Sequence, residues 1–81
     1  MNYFILKFSV SNAFGETEYI QYGVATHTNN PEIGKAKEII SDYFNRQNPT
    51  SQATISFISV VRVSSVVYER EKPTFFQIAN A

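Results

Sequence analysis

The sequence predicts an α+β fold, in which a three-stranded, mostly antiparallel sheet carries one helix on one face. Two β-prone stretches flank a turn signal near the N terminus, and an amphipathic helical pattern follows them. A long run rich in Val, Ile and Ser comes after the helix. The predicted order of elements is therefore strand, strand, helix, strand.

The first predicted strand runs from Asn2 to Ser11 and alternates with the two-residue period of an extended chain. One face carries Phe4, Leu6, Phe8 and Val10, and the other carries Tyr3, Ile5, Lys7 and Ser9. The next residues, Asn12 to Gly15, predict a type I turn that closes into a left-handed glycine. We therefore expect a hairpin with a second strand from Glu16 to Thr26.

An amphipathic helix is predicted after Asn29 or Asn30, because either can act as the cap and Pro31 suits a first helical turn. At about 100° per residue, one sector collects the apolar side chains. These are Ile33, Ala36, Ile39, Ile40, Tyr43 and Phe44. The helix should end before Pro49, since the residue preceding a proline disfavours the helical conformation.

The third predicted strand runs from Thr54 to Tyr68, with Arg62 as its only charge and a bend near Ser64 and Ser65. The helix returns the chain, so this strand should lie parallel to the second strand and antiparallel to the first. It fits best beside the first strand. The predicted order across the sheet is 2-1-3, with the most apolar strand in the centre.

The chain of 81 residues has room for one hydrophobic core. We predict a single α+β domain over residues 1–72, followed by an apolar C-terminal tail over residues 73–81. The tail carries Phe75, Phe76 and Ile78. A fourth strand, a plug over the sheet and a contact with a second chain are all compatible with this composition.

Composition excludes several classes of partner. Seven basic residues balance seven acidic ones and there is no cysteine, which argues against a strong attraction to phosphate or anionic lipid and against disulfides. Lys7 interrupts the only apolar stretch near the N terminus, so neither secretion nor membrane spanning is expected. The expected location is the cytoplasm.

The residues that carry chemistry do not form a recognisable constellation. The only His, His27, precedes the predicted helix, and the only Asp, Asp42, lies in its second half. The length of helix between them should keep the two side chains too far apart for a catalytic triad. The glutamate pairs and the glycines are too sparse for a metal site or a phosphate-binding loop. We predict no enzymatic activity, no cofactor and no metal.

The sheet itself predicts a binding surface. One helix covers one face, whereas the first and third strands are apolar on both, and no charge occurs between Arg46 and Arg62. We expect a protein-binding module, with self-association as a homodimer, that acts through the second face or a sheet edge. The predicted surface comprises Tyr3, Ile5, Tyr19, Ile58, Val60, Arg62, Val66, Tyr68, Phe75, Phe76 and Ile78.

Two further expectations accompany this interpretation. Tyr3, Tyr19 and Tyr22 would allow a single-stranded nucleic acid to stack on the sheet, although few basic residues support it. In build, with an apolar first strand, one helix and a short charged break before the tail, the chain resembles compact proteins of phages and mobile elements. Such a resemblance implies an accessory protein or inhibitor that binds a host protein.

Overall fold

A computed structural model describes residues 1–47 and 52–76 of the chain. Its elements are β1 (Asn2–Ser11), β2 (Thr17–Thr26), α1 (Ile33–Gln47), β3 (Thr54–Val63), α2 (Ser65–Glu71) and a 3-10 turn (Lys72–Thr74). The strands form one antiparallel sheet in the order β2-β1-β3. The predicted fold class, element order and central position of β1 are confirmed.

The core lies between α1 and one face of the sheet. Leu6, Phe8 and Ile40 are fully buried there, and Ala36 and Ile55 are nearly so. Burying side chains of this size contributes about 2 kcal/mol each. One face of β1 and the apolar sector of α1 supply most of these residues, and Ile55 of β3 completes them.

The β1–β2 hairpin closes as predicted. The side-chain oxygen of Asn12 accepts hydrogen bonds from the N–H groups of Phe14 (2.9 Å) and Glu16 (3.0 Å). Gly15 then adopts a left-handed conformation with φ of 81°. An asparagine that bonds its own turn and a glycine that tolerates positive φ fix the hairpin register.

The start of α1 differs from the prediction. The helix begins at Ile33, so Pro31 precedes its first turn, and no asparagine caps it. The side-chain oxygen of Asn30 instead accepts the N–H of Glu32 at 2.9 Å, and Glu32 has a left-handed φ of 52°. Asparagine side chains often bond to nearby backbone groups in this way. Asn30 therefore closes a turn that precedes the helix instead of capping the helix itself. Pro49 lies outside the described residues.

The third strand is shorter than predicted, because the chain turns helical at Ser65. The extension to Tyr68 was wrong. The hydroxyl of Ser64 accepts the N–H of Val67 at 3.2 Å and caps α2. The capping serine and the helix-forming residues over 69–71 outweigh the β preference of the two valines in the first turn.

The irregularity of β3 lies earlier than predicted. Phe57 is opposite Phe8, and Ser59 is opposite Lys7, which leaves Ile58 as an extra residue. This is a β-bulge, and it divides β3 into two regular segments. The second segment, 59–63, continues without interruption to the end of the strand.

Candidate functional site

Part of the second face of the sheet is covered by the chain itself. The ring of Tyr68 on α2 lies 4.9 Å from that of Tyr3 on β1, measured between centroids. Phe75 follows at 5.2 Å from Tyr68 and is only 7% exposed. Phe75, in the segment that follows α2, thus acts as a plug over the part of this face next to Tyr68.

A glycine makes room for this plug. A Cβ atom at Gly23 would approach the ring of Phe75 to less than 3.0 Å, and it would meet Tyr68 at 3.0 Å. Real Cβ atoms do not approach neighbours so closely. Gly23 is therefore required for the close packing of the tail against β2.

The tail crosses the outer edge of β2. Phe75 forms a single parallel bridge with Gln21, and the N–H of Phe76 donates to the Gln21 carbonyl at 2.7 Å. On the helix side, the Phe76 ring stacks on Phe44 at 5.4 Å and meets Tyr43 edge-on at 4.9 Å. Within the described residues, one bridge and no fourth strand links the tail to the sheet.

The packing around Tyr68 also affects its ionisation. Burial raises the pKa of the Tyr68 hydroxyl above its ordinary value of 10.0, and the negative charge of Glu69 adds to this rise. The neighbouring phenols of Tyr22 and Tyr3 act in the same direction. The charged form is thus disfavoured where the second face is covered.

The outer edge of β3 has no covering segment among the described residues. Because β1 is the neighbour of both other strands, β3 pairs on one side only. Successive residues of an antiparallel strand direct their N–H and C=O groups to opposite sides. One of the two edges of β3 is therefore open.

The hairpin shows which residues face this open edge. The N–H of Asn12 donates to the Glu16 carbonyl at 3.0 Å, which directs the even-numbered residues of β1 to β2 and the odd-numbered residues to β3. Val61, opposite Ile5, therefore points its backbone groups at β1. The backbone groups of Val60 and Arg62 point outward.

Apolar side chains flank the open edge. Phe57, Ile58, Val60 and Val61 are exposed by 40%, 45%, 39% and 55%. We call these residues and the outward backbone of β3 the β3 edge. No charged residue occurs from Thr54 to Val61, and natural edge strands usually carry charges or proline that prevent pairing. On β3 the bulge at Ile58 and the single charge of Arg62 are the features that oppose pairing.

The charge at the end of the β3 edge is turned inward. The Arg62 guanidinium donates from Nη2 to the side-chain oxygen of Asn2 at 2.5 Å. Asn2 lies on β1, so the arginine is directed back across its own sheet. The guanidinium keeps its charge and remains exposed, and this hydrogen bond orients it toward β1.

The predicted surface residues divide into groups. Tyr3, Tyr68, Phe75 and Phe76 lie in contacts within the chain, as shown above. Ile58, Val60 and Arg62 lie together on β3. Ile5 is half-buried on the second face, whereas Tyr19 on β2 (69% exposed) and Val66 on α2 (73%) stand apart. Ile78 lies outside the described residues.

Phe57 and Val61 belong to the β3 edge, although they were absent from the predicted surface. With strict alternation, the two would share one face of the sheet. The bulge between them places Phe57 on the helix face, 5.8 Å from the Phe8 ring, and Val61 on the other. Their uncharged surroundings in the sequence were the signal that could have identified both.

The predicted tyrosines do not form a shared platform for bases. Tyr3 lies under Tyr68, and Tyr22 packs against the core from the helix face. Only Tyr19 is well exposed among the three. The packing thus offers no argument for nucleic-acid binding.

Other kinds of site find little support in the described residues. An open groove of about 440 Å³ lies between the hairpin and the end of α1, with Val10 and Phe44 among its lining residues. Residues 1–47 and 52–76 contain no cluster of three or more metal-ligating side chains. Among these same residues, no helix has the length and apolar character needed to cross a membrane.

Comparison with known proteins adds no assignment. No family model, no curated protein and no solved structure matches the chain.

Proposed function

We propose that this chain is a non-enzymatic protein-binding module that adds an extended strand of a partner protein to the β3 edge. The observation that carries the proposal is an open strand edge with Arg62 as its only charge, flanked by exposed apolar side chains. Strand addition of this kind is a common mode of peptide recognition. Backbone hydrogen bonds supply affinity, and alternate side chains supply specificity.

The other edge of the sheet supports the choice of β3. An approaching strand at β2 would meet the tail at Gln21, whose carbonyl is already bonded to Phe76. It would also meet the exposed charge of Glu18. At β3 the outward groups of Val60 and Arg62 are unoccupied within the described residues, and the flanking side chains are apolar.

Capture experiments with matched variants test the proposal. The full chain is immobilised as wild type, as Val60→Lys and as Tyr19→Lys, and proteins retained from the native lysate are identified by mass spectrometry. Val60→Lys places a charge on the β3 edge, whereas Tyr19→Lys places one on an exposed position of β2. We expect a partner that wild type and Tyr19→Lys retain and Val60→Lys loses. Equal retention by all three would contradict the proposal.

A further inference from the structure

We infer that the strand added to the β3 edge is β3 of a second copy of this chain, paired antiparallel about a two-fold axis at Val61. The inference rests on the proposed function and names its partner. Joining the two sheets in this way would give one continuous sheet across both copies. Each copy would present the same edge, as a two-fold interface requires.

The bulge selects the register. An antiparallel ladder needs regular pairing, and the regular segment of β3 beyond Ile58 is 59–63, whose central residue is Val61. With the axis at Val61, the outward groups of Val60 in one copy meet those of Arg62 in the other. Both Val60–Arg62 pairs then form backbone hydrogen bonds, and the two Val61 residues form the closer, non-hydrogen-bonded pair.

The charge distribution favours a second copy as occupant. In this register each Arg62 lies opposite a valine, so the two arginines do not face each other. Each guanidinium is also held by Asn2 of its own chain. Like charges directly opposite would destabilise the pair, and none occurs here. The edge is thus compatible with itself in both charge and hydrophobicity.

A closed dimer is favoured because the β3 edge is open, whereas the tail crosses the β2 edge. One open edge per chain allows one pairing event, after which the dimer has only its β2 edges exposed. The tail crosses each of these at Gln21. Pairing through β3 therefore ends at two copies, whereas two open edges would allow a growing filament.

Opposite charges at Val60 test the register. Val60→Lys would face Arg62 of the second copy, whereas Val60→Glu would face it with the opposite charge. Sedimentation velocity at about 0.1 mM should show a wild-type dimer. We expect the dissociation constant of the dimer to be at least about tenfold larger for Val60→Lys than for Val60→Glu. Lysine at this position would repel Arg62 of the second copy, whereas glutamate would attract it. Equal weakening by both variants would overturn the register.

A cysteine at the axis provides a second test. The chain has no cysteine, so an introduced thiol is the only one present. Non-hydrogen-bonded antiparallel pairs place Cα atoms about 4.5 Å apart, within the range of a disulfide. Val61→Cys should form a covalent dimer under mild oxidation, whereas the exposed control Val66→Cys on α2 should not. Faster crosslinking of Val66→Cys would overturn the inference.

The tests separate this inference from the proposed function. A wild-type chain that stays monomeric at about 1 mM overturns the second copy as partner. If Val60→Lys still loses a captured protein in that case, the β3 edge binds another protein and the proposed function stands. If retention is also equal for all variants, both fail. A dimer that Val60→Lys disrupts, with an unchanged circular dichroism spectrum, supports both.

Discussion

The two edges of this sheet differ in whether another segment of the chain crosses them. β2 carries the charge of Glu18. The tail crosses the outer edge of β2 at Gln21, and Phe75 is buried on the sheet face opposite α1. β3 has no charge from Thr54 to Val61 and exposes four large apolar side chains. Open, apolar edges promote association, so the same small chain protects one edge and leaves the other available. This difference is the reason that we propose binding at β3 rather than at β2.

Removing the plug should have the largest effect on stability. We expect Phe75→Ala to lower the free energy of unfolding by about 4 kcal/mol, because the ring is buried against Tyr68 and over Gly23. Urea unfolding measures the change. The control is Phe14→Ala, whose side chain is 82% exposed in the hairpin turn and should change stability by less than about 0.5 kcal/mol. Equal effects would show that the tail does not protect the sheet.

Proline substitutions distinguish the two sides of β3. Val61→Pro removes an N–H that faces β1 and should cost about 3 kcal/mol in unfolding free energy. Val60→Pro removes an outward N–H and should cost only about 1 kcal/mol, since edge strands tolerate proline there. Urea unfolding in dilute solution compares the variants. A larger loss for Val60→Pro would reverse the assignment of the outward groups.

Adding a methyl group at Gly23 should have an intermediate effect on the free energy of unfolding. Gly23→Ala forces a methyl group into the space of the Phe75 ring and should cost about 2 kcal/mol. In a Phe75→Ala background only the Tyr68 ring remains close, at 3.0 Å, so the same change should cost less. A double-mutant cycle measures the coupling. Additive effects would mean that the ring and the glycine do not pack together.

The smallest expected effect is a change in alkaline stability. Because the pKa of Tyr68 is raised on folding, the folded chain holds this proton more tightly than the unfolded chain. Its contribution is complete below the unfolded value of about 10 and is lost as the pH rises through the folded value. Above about pH 10, the free energy of unfolding should therefore decrease less steeply with pH in Tyr68→Phe than in the wild type. Tyr19→Phe is the control for removing a phenol, and an identical change in both variants would contradict this account.

Periodic segments were predictable from the sequence, whereas contacts between distant segments were not. The alternation of β1 and the apolar sector of α1 predicted the core through Leu6, Phe8 and Ile40. α2 was missed because Val66 and Val67 favour strands, while its cap at Ser64 is a weak local signal. The fit of Phe75 over Gly23 depends on tertiary packing that no local pattern records.

The β3 edge was predictable only in part. The uncharged run indicated β3, and Ile58, Val60 and Arg62 were assigned to the surface on that basis. The bulge at Ile58 sets which side chains and backbone groups face outward, and it depends on pairing with Lys7 and Phe8. The nature of the partner and the resemblance to phage proteins remain predictions.

Residue-resolved amide hydrogen exchange at low and high protein concentration tests the central claim most directly. We predict that protection of the Val60 and Arg62 amides increases with concentration, because a second copy takes up their hydrogen bonds. Exchange of the Tyr19 amide, on the outer edge of β2, should not change. Protection at β3 that is independent of concentration, or an increase at Tyr19 instead, would contradict the account.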